Sequence, residues 1–273
     1  MTEPGLTPSL SPSPLDVDRL LRETFVAQVE HHRELGSTND RAKQCASQGN
    51  GPLPILVVAD RQTAGRGRGS NRWWTGEGSL ACSLLVDLAA AGVDRSRAPV
   101  LALAAGLAVV EAVEAVEAVA PLLPGHTLGI HWPNDVFAAG KKLAGVLVEG
   151  LPAGLYVVGI GVNTDNTIAE APAELCTTAT TLRDLTGTRH DRTRFLVELL
   201  GHLEAMLRRL GSAPDEIGRL ADARCLQRGR ELEIESGSRT VAGTCAGIAP
   251  DGALLLDTPA GRMRLLSGTV RRR

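Results

Sequence analysis

HWPNDVFAAGKKLAGVLVEGLPAGLYVVGIGVN occupies residues 131–163, and its reading decides the fold. KLAGVLVEG and LYVVGIGVN are apolar, β-branched runs that predict buried strands; TLGIHW just upstream predicts a third, with PND and AAGKK as polar turns. Working outward, PILVVAD (54–60) and SLACSLLVDL (79–88) add two more strands. Apolar stripes predict helices over 15–31, from GSTND to about Gln48 with Ser37 or Thr38 as cap, over 96–120, over 191–211 and from Pro214 to Arg224. Glu111, Glu114 and Glu117 should form a solvated face of the 96–120 helix. After residue 224 the character changes to short alternating strands (ELEIES, TVAGTCAGI, ALLLDT, GRMRLLS) with Gly and Asp turns, which predicts a small β-barrel. The expected organisation is a Pro- and Ser-rich disordered tail (1–14), an α+β body (15–224) and a β-rich C-terminal module (225–273).

Composition narrows the function classes. A formal charge of −2 gives no bulk field for nucleic acid or an anionic membrane. Five cysteines lie far apart, with an odd count and no Cys-x-x-Cys, so reduced thiols are expected and not a disulfide frame or a zinc site. The N-terminus lacks a basic region and an apolar run, so no secretory signal is expected. The longest uncharged apolar run, 98–110, is too short to span a bilayer. A cytoplasmic protein is the expectation.

Several short constellations carry polar chemistry. QTAGRGRGSNRWW (62–74) places Gly65 and Gly67, whose backbone can approach a ligand closely, among Arg66, Arg68 and Arg72, whose planar forks suit carboxylate or phosphate. Trp73 or Trp74 can stack on a base. In 131–150, Lys141 and Lys142 open an apolar strand, where a desolvated ammonium would partner an anion strongly. Asp135 can hold Mg²⁺ through water, because that ion takes few protein carboxylates. Ser37, Thr38 and Asn39 put hydroxyls and an amide at a helix N-terminus. Each of these, taken alone, also fits an ordinary turn, cap or solvated loop.

Together they resemble the biotin–protein ligases. The family pattern runs S-T-N, Q-x-A-G-R-G-R followed by W, K-W-P-N-D, K-L-A-G-I-L-V-E and G-x-G-x-N. Here it stands as Ser37-Thr38-Asn39, Gln62 to Arg68 with Trp73, His131 to Asp135, Lys142 to Glu149, and Gly159-Ile160-Gly161-Val162-Asn163. The resemblance implies a mixed-sheet catalytic domain flanked by helices, of the class II synthetase-like biotin–lipoate ligase fold, with a C-terminal SH3-like barrel. It implies an enzyme that joins biotin to ATP as biotinyl-5′-AMP, with Mg²⁺, and passes biotin to a lysine of a biotin carboxyl carrier protein domain. By the same resemblance Ser37, Thr38, Asn39, Gln62 and Gly145 would surround biotin's head. Arg66, Gly67 and Arg68 would cover its carboxylate, with Lys142 bridging carboxylate and α-phosphate. Trp73, Asn134 and Asn163 would meet the nucleotide, and Asp135 the metal side.

Two departures stand out: His131 where the family has lysine, and Gly69-Ser70-Asn71 where it continues with Gly-Arg. Both predict weaker retention of the adenylate. The tail and single helix ahead of GSTND leave no room for a helix-turn-helix, so no DNA binding is expected. A lipoate or octanoyl ligase or transferase of the same fold is the nearest rival. A non-catalytic biotin or nucleotide sensor, or an RNA binder using the Arg-Gly loop, comes from a different class.

Overall fold

The computed structural model describes residues 14–49, 51–117, 119, 127–237 and 239–271. Apart from Pro14, the expected tail lies outside these. The chain enters through α1 (Val17–Glu23), whose first turn is capped by Asp16 accepting from the Arg19 amide. The helix expected over 15–31 stops there, and Gln28–Leu35 form strand β1 instead. The reason is tertiary: β1 lies parallel to β2 (Ile55–Gln62), and that ladder supplies its backbone partners where QVEHHREL has no strong propensity of its own.

Helix α2 (Thr38–Gln48) begins where expected, with Ser37 as cap residue, but no side-chain capping bond forms. The free Thr38 amide is instead taken by Gln62 Oε1 at 2.8 Å. Strand β3 (Leu80–Asp87) and helix α3 (Ala98–Glu114) follow. α3 ends short of the expected residue 120, and residues 118 and 120–126 lie outside the described set. Its glutamates are not simply solvated: Glu111 meets His202 at 2.9 Å and Glu114 holds Arg224 at 2.6 Å.

The 127–163 region contains four strands where three were expected: β4 (Leu128–His131), β5 (Asp135–Ala138), β6 (Lys141–Gly150) and β7 (Leu155–Val162). DVFA becomes β5 because Ala139 and Gly140, both at positive φ (49° and 77°), make a two-residue turn whose twist suits a hairpin. The seven strands order as β1-β2-β3-β7-β6-β5-β4, parallel at β1/β2 and antiparallel elsewhere, so the sheet is mixed as expected. Short helices α4 (Ala173–Cys176) and α5 (Leu182–Thr186) precede α6 (Arg192–Ser212) and α7 (Pro214–Ala223). Alternation along the strands divides the core. Leu56, Val58, Leu84 and Val86 pack with α3 and α6, while Ile55, Val57, Leu85 and Val157 pack with Ala42 and Cys45 of α2.

The C-terminal strands are β8 (Glu231–Ser236), β9 (Arg239–Ile248), β10 (Leu254–Thr258), β11 (Gly261–Leu265) and β12 (Thr269–Arg271). They form an open antiparallel sheet in the order β11-β10-β9-β8-β12, not the expected closed barrel. Its edges explain why. β12 is only three residues long, and β11 is mostly exposed, with Arg262 and Arg264 paired to Asp257 and Asp251 along a charged edge. This sheet leans on the body through residues 224–227. The Ile130 amide donates to the Arg224 carbonyl at 2.8 Å, and Gln227 accepts from the Trp132 amide at 2.6 Å.

Candidate active site

A cavity of about 410 Å³ opens on the face of β3, β7 and β6, between the start of α2 and the loop that follows β2. Of the residues picked out from the sequence, Ser37, Thr38, Asn39, Gln62, Arg66, Gly67, Arg68, Trp73, Asn134, Asp135, Lys142 and Gly145 all line it. The strand order is what assembles them, because β7 lies between β3 and β6. Asn163 is placed apart. It is buried just past β7, its amide donating to the Thr180 carbonyl at 3.0 Å, and it holds the 178–184 segment without lining the cavity.

At one end is a buried polar pocket. Gln62 Oε1 accepts from the Thr38 amide at 2.8 Å and its hydroxyl at 3.1 Å. Ser83 Oγ sits 2.8 Å from Thr38 Oγ1 and 2.6 Å from Asn39 Oδ1. Asn39 Nδ2 in turn donates to Glu149 Oε2 at 2.8 Å. Ser37, Thr38, Asn39 and Ser83 are all buried, so their orientation is set before any ligand arrives. Backbone proximity matters here: a methyl at Gly159 would overlap Asn39 Oδ1, and one at Gly161 would overlap the Trp73 indole. Ser83 escaped the sequence reading: SLACSLLVDL carries two serines, Ser79 and Ser83, and the run alone does not tell which of them meets a pocket. Ser83 acts from behind Thr38 and Asn39, whereas Cys82 beside it lines the cavity, but burial pushes its thiol up to about 12, which leaves it inert at neutral pH.

The middle of the cavity holds the cations. Lys142 Nζ lies 2.7 Å from Asp135 Oδ2 and 5.7 Å from the Trp73 ring centroid. Its backbone is gripped by the 178–180 segment, the Lys142 amide donating to the Thr178 carbonyl and the Thr180 amide to the Lys142 carbonyl, both at 2.9 Å. Gly145 faces Asp135 across the β5/β6 ladder and leaves room for this pair; a methyl there would sit 3.3 Å from both charged groups. Asp135 Oδ1 and Trp73 Nε1 are buried without a hydrogen-bond partner. Arg68 donates to the Gly268 carbonyl at 3.0 Å and reaches Asn134 Oδ1 at 3.4 Å. Burial lowers its pKa, with Asp135 opposing, and among the described residues it makes no ion pair. Arg66 is different: its guanidinium lies 2.8 Å from Asp40 and 3.1 Å from Glu149.

The outer wall was only partly foreseen. His131 stacks on Phe137 with centroids 4.4 Å apart, and both line the cavity. Thr269 and Val270 of β12 line it too, so the C-terminal sheet contributes to the wall.

Residues 33–165 match the biotin/lipoate A/B protein ligase family, and residues 229–273 match the biotin protein ligase C terminal domain. The biotin–[acetyl-CoA-carboxylase] ligase of Mycobacterium tuberculosis is 34% identical over 94% of this chain and 95% of its own length. The chain belongs to the biotin protein ligase family. A second relative, the biotin–[acetyl-CoA-carboxylase] ligase of Paracoccus denitrificans, is 33% identical over 86% of this chain and 96% of its own. Among solved structures, the biotin protein ligase of Aquifex aeolicus in complex with biotin and ATP matches with a TM-score of 0.76 at 31% identity, covering 90% of this chain and all of that one. The mixed sheet and the appended antiparallel sheet are thus those of a biotin protein ligase, and the chain is an enzyme of the ligase class. No helix among the described residues is long and apolar enough to cross a membrane.

Proposed function

We propose that this ligase condenses biotin with ATP to biotinyl-5′-AMP and pyrophosphate, then transfers the biotinyl group to a lysine of a biotin carboxyl carrier protein domain, releasing AMP. One observation carries the reading: a single cavity presents a buried amide–hydroxyl pocket, a central pair of cations and an indole face in that order. Biotin's neutral ureido head suits Thr38, Asn39, Gln62 and Ser37, whose hydrogen-bonding groups are already oriented. Its carboxylate then points toward Lys142 and Arg68, and adenine toward Trp73 with Asn134 alongside. Asn163 supports the nucleotide side from beneath, through the segment that grips Lys142.

The difficulty of the first step is electrostatic. A carboxylate oxygen must approach an anionic phosphate, and unit charges about 4 Å apart repel by ~4 kcal/mol at an effective dielectric near 20. Fixed cations aimed at that charge lower the barrier without reorganising. Lys142 and Arg68 fill this role, the first held by strand and segment and paired with Asp135, the second desolvated and without an ion pair among the described residues. Gly67 lets the loop lie close over the mixed anhydride and shield it from water. In the second step the acceptor amine attacks the acyl carbon, the C–O bond to phosphate breaks, and AMP leaves with that oxygen.

Asp135 fits a magnesium ion. Among the described residues it is the carboxylate that lines the cavity; its Oδ2 pairs with Lys142, while its Oδ1 is buried with no partner, which suits an ion that takes one protein carboxylate and completes its shell with phosphate and water. Bound there, Mg²⁺ would neutralise phosphate charge.

The decisive experiment supplies Mg·ATP with biotin or with lipoate, measures pyrophosphate release, and follows acceptor mass with wild type, Lys142→Ala and Arg68→Ala. Biotin-dependent release and a biotinylated acceptor are expected from wild type, with both variants impaired. Release with lipoate but not biotin would overturn the substrate, and binding without release would make the chain a sensor.

A further inference from the structure

Arg66 differs from the other two central cations of the cavity because two carboxylates answer its charge, where Lys142 meets Asp135 alone and Arg68 makes no ion pair among the described residues. Asp40 and Glu149 hold it at 2.8 and 3.1 Å, and Lys43 closes the group at 3.0 Å from each of the same carboxylates. Two carboxylates and two cations cancel, so this cluster presents little net field to an anion beyond it. Three of its members sit on rigid elements, Asp40 and Lys43 on α2 and Glu149 on β6; only Arg66 comes from the glycine–arginine loop. Burial would raise the Glu149 pKa, but Asn39, Lys43 and Arg66 together hold it below the usual carboxylate range. The same carboxylate accepts from Asn39 Nδ2 at 2.8 Å, so it touches the polar pocket and the loop at once.

We infer that Glu149 is a positioning residue and Arg66 its tether. The pair pins the loop to the sheet while Glu149 orients Asn39, and the anionic groups of the substrates are met by Lys142 and Arg68. This rests on the biotin-and-ATP reading above, and it makes Arg66 an anchor where the sequence suggested an oxyanion clamp. A clamp and an anchor differ in one measurable respect. A clamp distinguishes biotin from biotinol, the alcohol analogue that lacks the carboxylate; an anchor does not.

The test is calorimetric titration of the intact chain with biotin and with biotinol. Arg66→Gln and Glu149→Gln should each weaken both ligands by the same factor, about tenfold, the scale of one charge-assisted hydrogen bond. The double variant should lose less than the product of the two single losses, because both changes break the shared Arg66–Glu149 contact, while Glu149→Gln also weakens the bonds to Asn39 and Lys43. Lys142→Ala should instead weaken biotin more than biotinol. A loss in Arg66→Gln that is about fivefold or more larger for biotin, or single losses that multiply in the double variant, would overturn the inference. If Glu149→Gln does not fold, Arg66→Gln still decides through its biotin-to-biotinol ratio. A wild-type chain that binds neither ligand would overturn the proposed function itself.

Discussion

Strand β6 and the glycine–arginine loop both bring cations to one cavity, but they hold them differently. Lys142 is fixed by its strand, which pairs it with Phe137 of β5, and by backbone bonds to Thr178 and Thr180 on the other side. The loop is tied mainly to itself, the Gly67 amide donating to the Asn71 carbonyl at 2.8 Å and the Trp73 amide to the Gly65 carbonyl at 3.0 Å. Its outer part reaches the rest of the molecule through side chains such as the Arg66 tether and the contact of Arg68 with the Gly268 carbonyl. The difference separates two tasks. A group that must meet the reacting atoms in one geometry belongs on a strand, whereas a cover that must admit substrate belongs on a glycine-rich loop.

The sharpest way to break this comparison is Lys142→Ala. It should lower biotin-dependent pyrophosphate release about 10²–10³-fold, the cost of removing one preorganised group that stabilises developing charge, with little change in thermal midpoint. A rate near that of wild type would show that the loop, not the strand, supplies the essential cation. Next comes Gly159→Ala, which tests the rigidity of the floor. Its methyl would collide with Asn39, so the cost should be ~1–3 kcal/mol in stability, as for other overpacked sites, with weaker biotin binding. Unchanged stability in urea titration would mean that the floor yields.

Loop variants should have smaller effects. Asn71→Arg restores a cation near the turn and should slow adenylate release by up to about fivefold, the range of an exposed ion pair; rapid-dilution release assays read this directly, and equal rates would remove the idea.

The smallest effect concerns the foundation under α2. Glu30 on β1 accepts from Arg41 at 2.7 and 2.8 Å, and this bond chiefly lowers its pKa from 4.5 to about 2. A depressed carboxylate pKa stabilises the fold above the unfolded value, and the contribution is lost as pH falls through the folded one. Glu30→Gln should therefore cost about 1 kcal/mol at pH 7, discounted for partial exposure. The gap to wild type should shrink below pH 4.5 and close near pH 2. A gap independent of pH in denaturant titrations would show that the carboxylate charge is not what matters.

Most of the candidate site was legible in the sequence because its chemistry is written in residue types that a cap, a turn or a core does not need in that order. Ser37-Thr38-Asn39, the Arg-Gly repeats with Trp73, Trp132-Pro133-Asn134-Asp135 and Lys142 all reached one cavity, and only Asn163 stands off from it. Ser83 and Thr269 were not legible, since a hydroxyl in a strand looks alike whether it faces a core or a pocket. The reading of QVEH (28–31) as helix failed for a related reason, its strand character being supplied by a neighbour 27 residues away, as in the Gln28–Ile55 pairing.

What the sequence determined by itself was five of the seven strands in the body, the chemical identity of the pocket groups and the family they belong to, because apolar period and residue type are local properties of the chain. What only the tertiary structure decided was which charges remain available. Arg66 and Arg68 are two residues apart and alike on paper, yet one is neutralised by Asp40 and Glu149 and the other is not. Likewise, the C-terminal strands leave their sheet open and still close a wall of the cavity with Thr269 and Val270. The electrostatic worth of a side chain depends on distances of a few ångströms to groups remote in the chain, and those distances exist only once the sheets are paired.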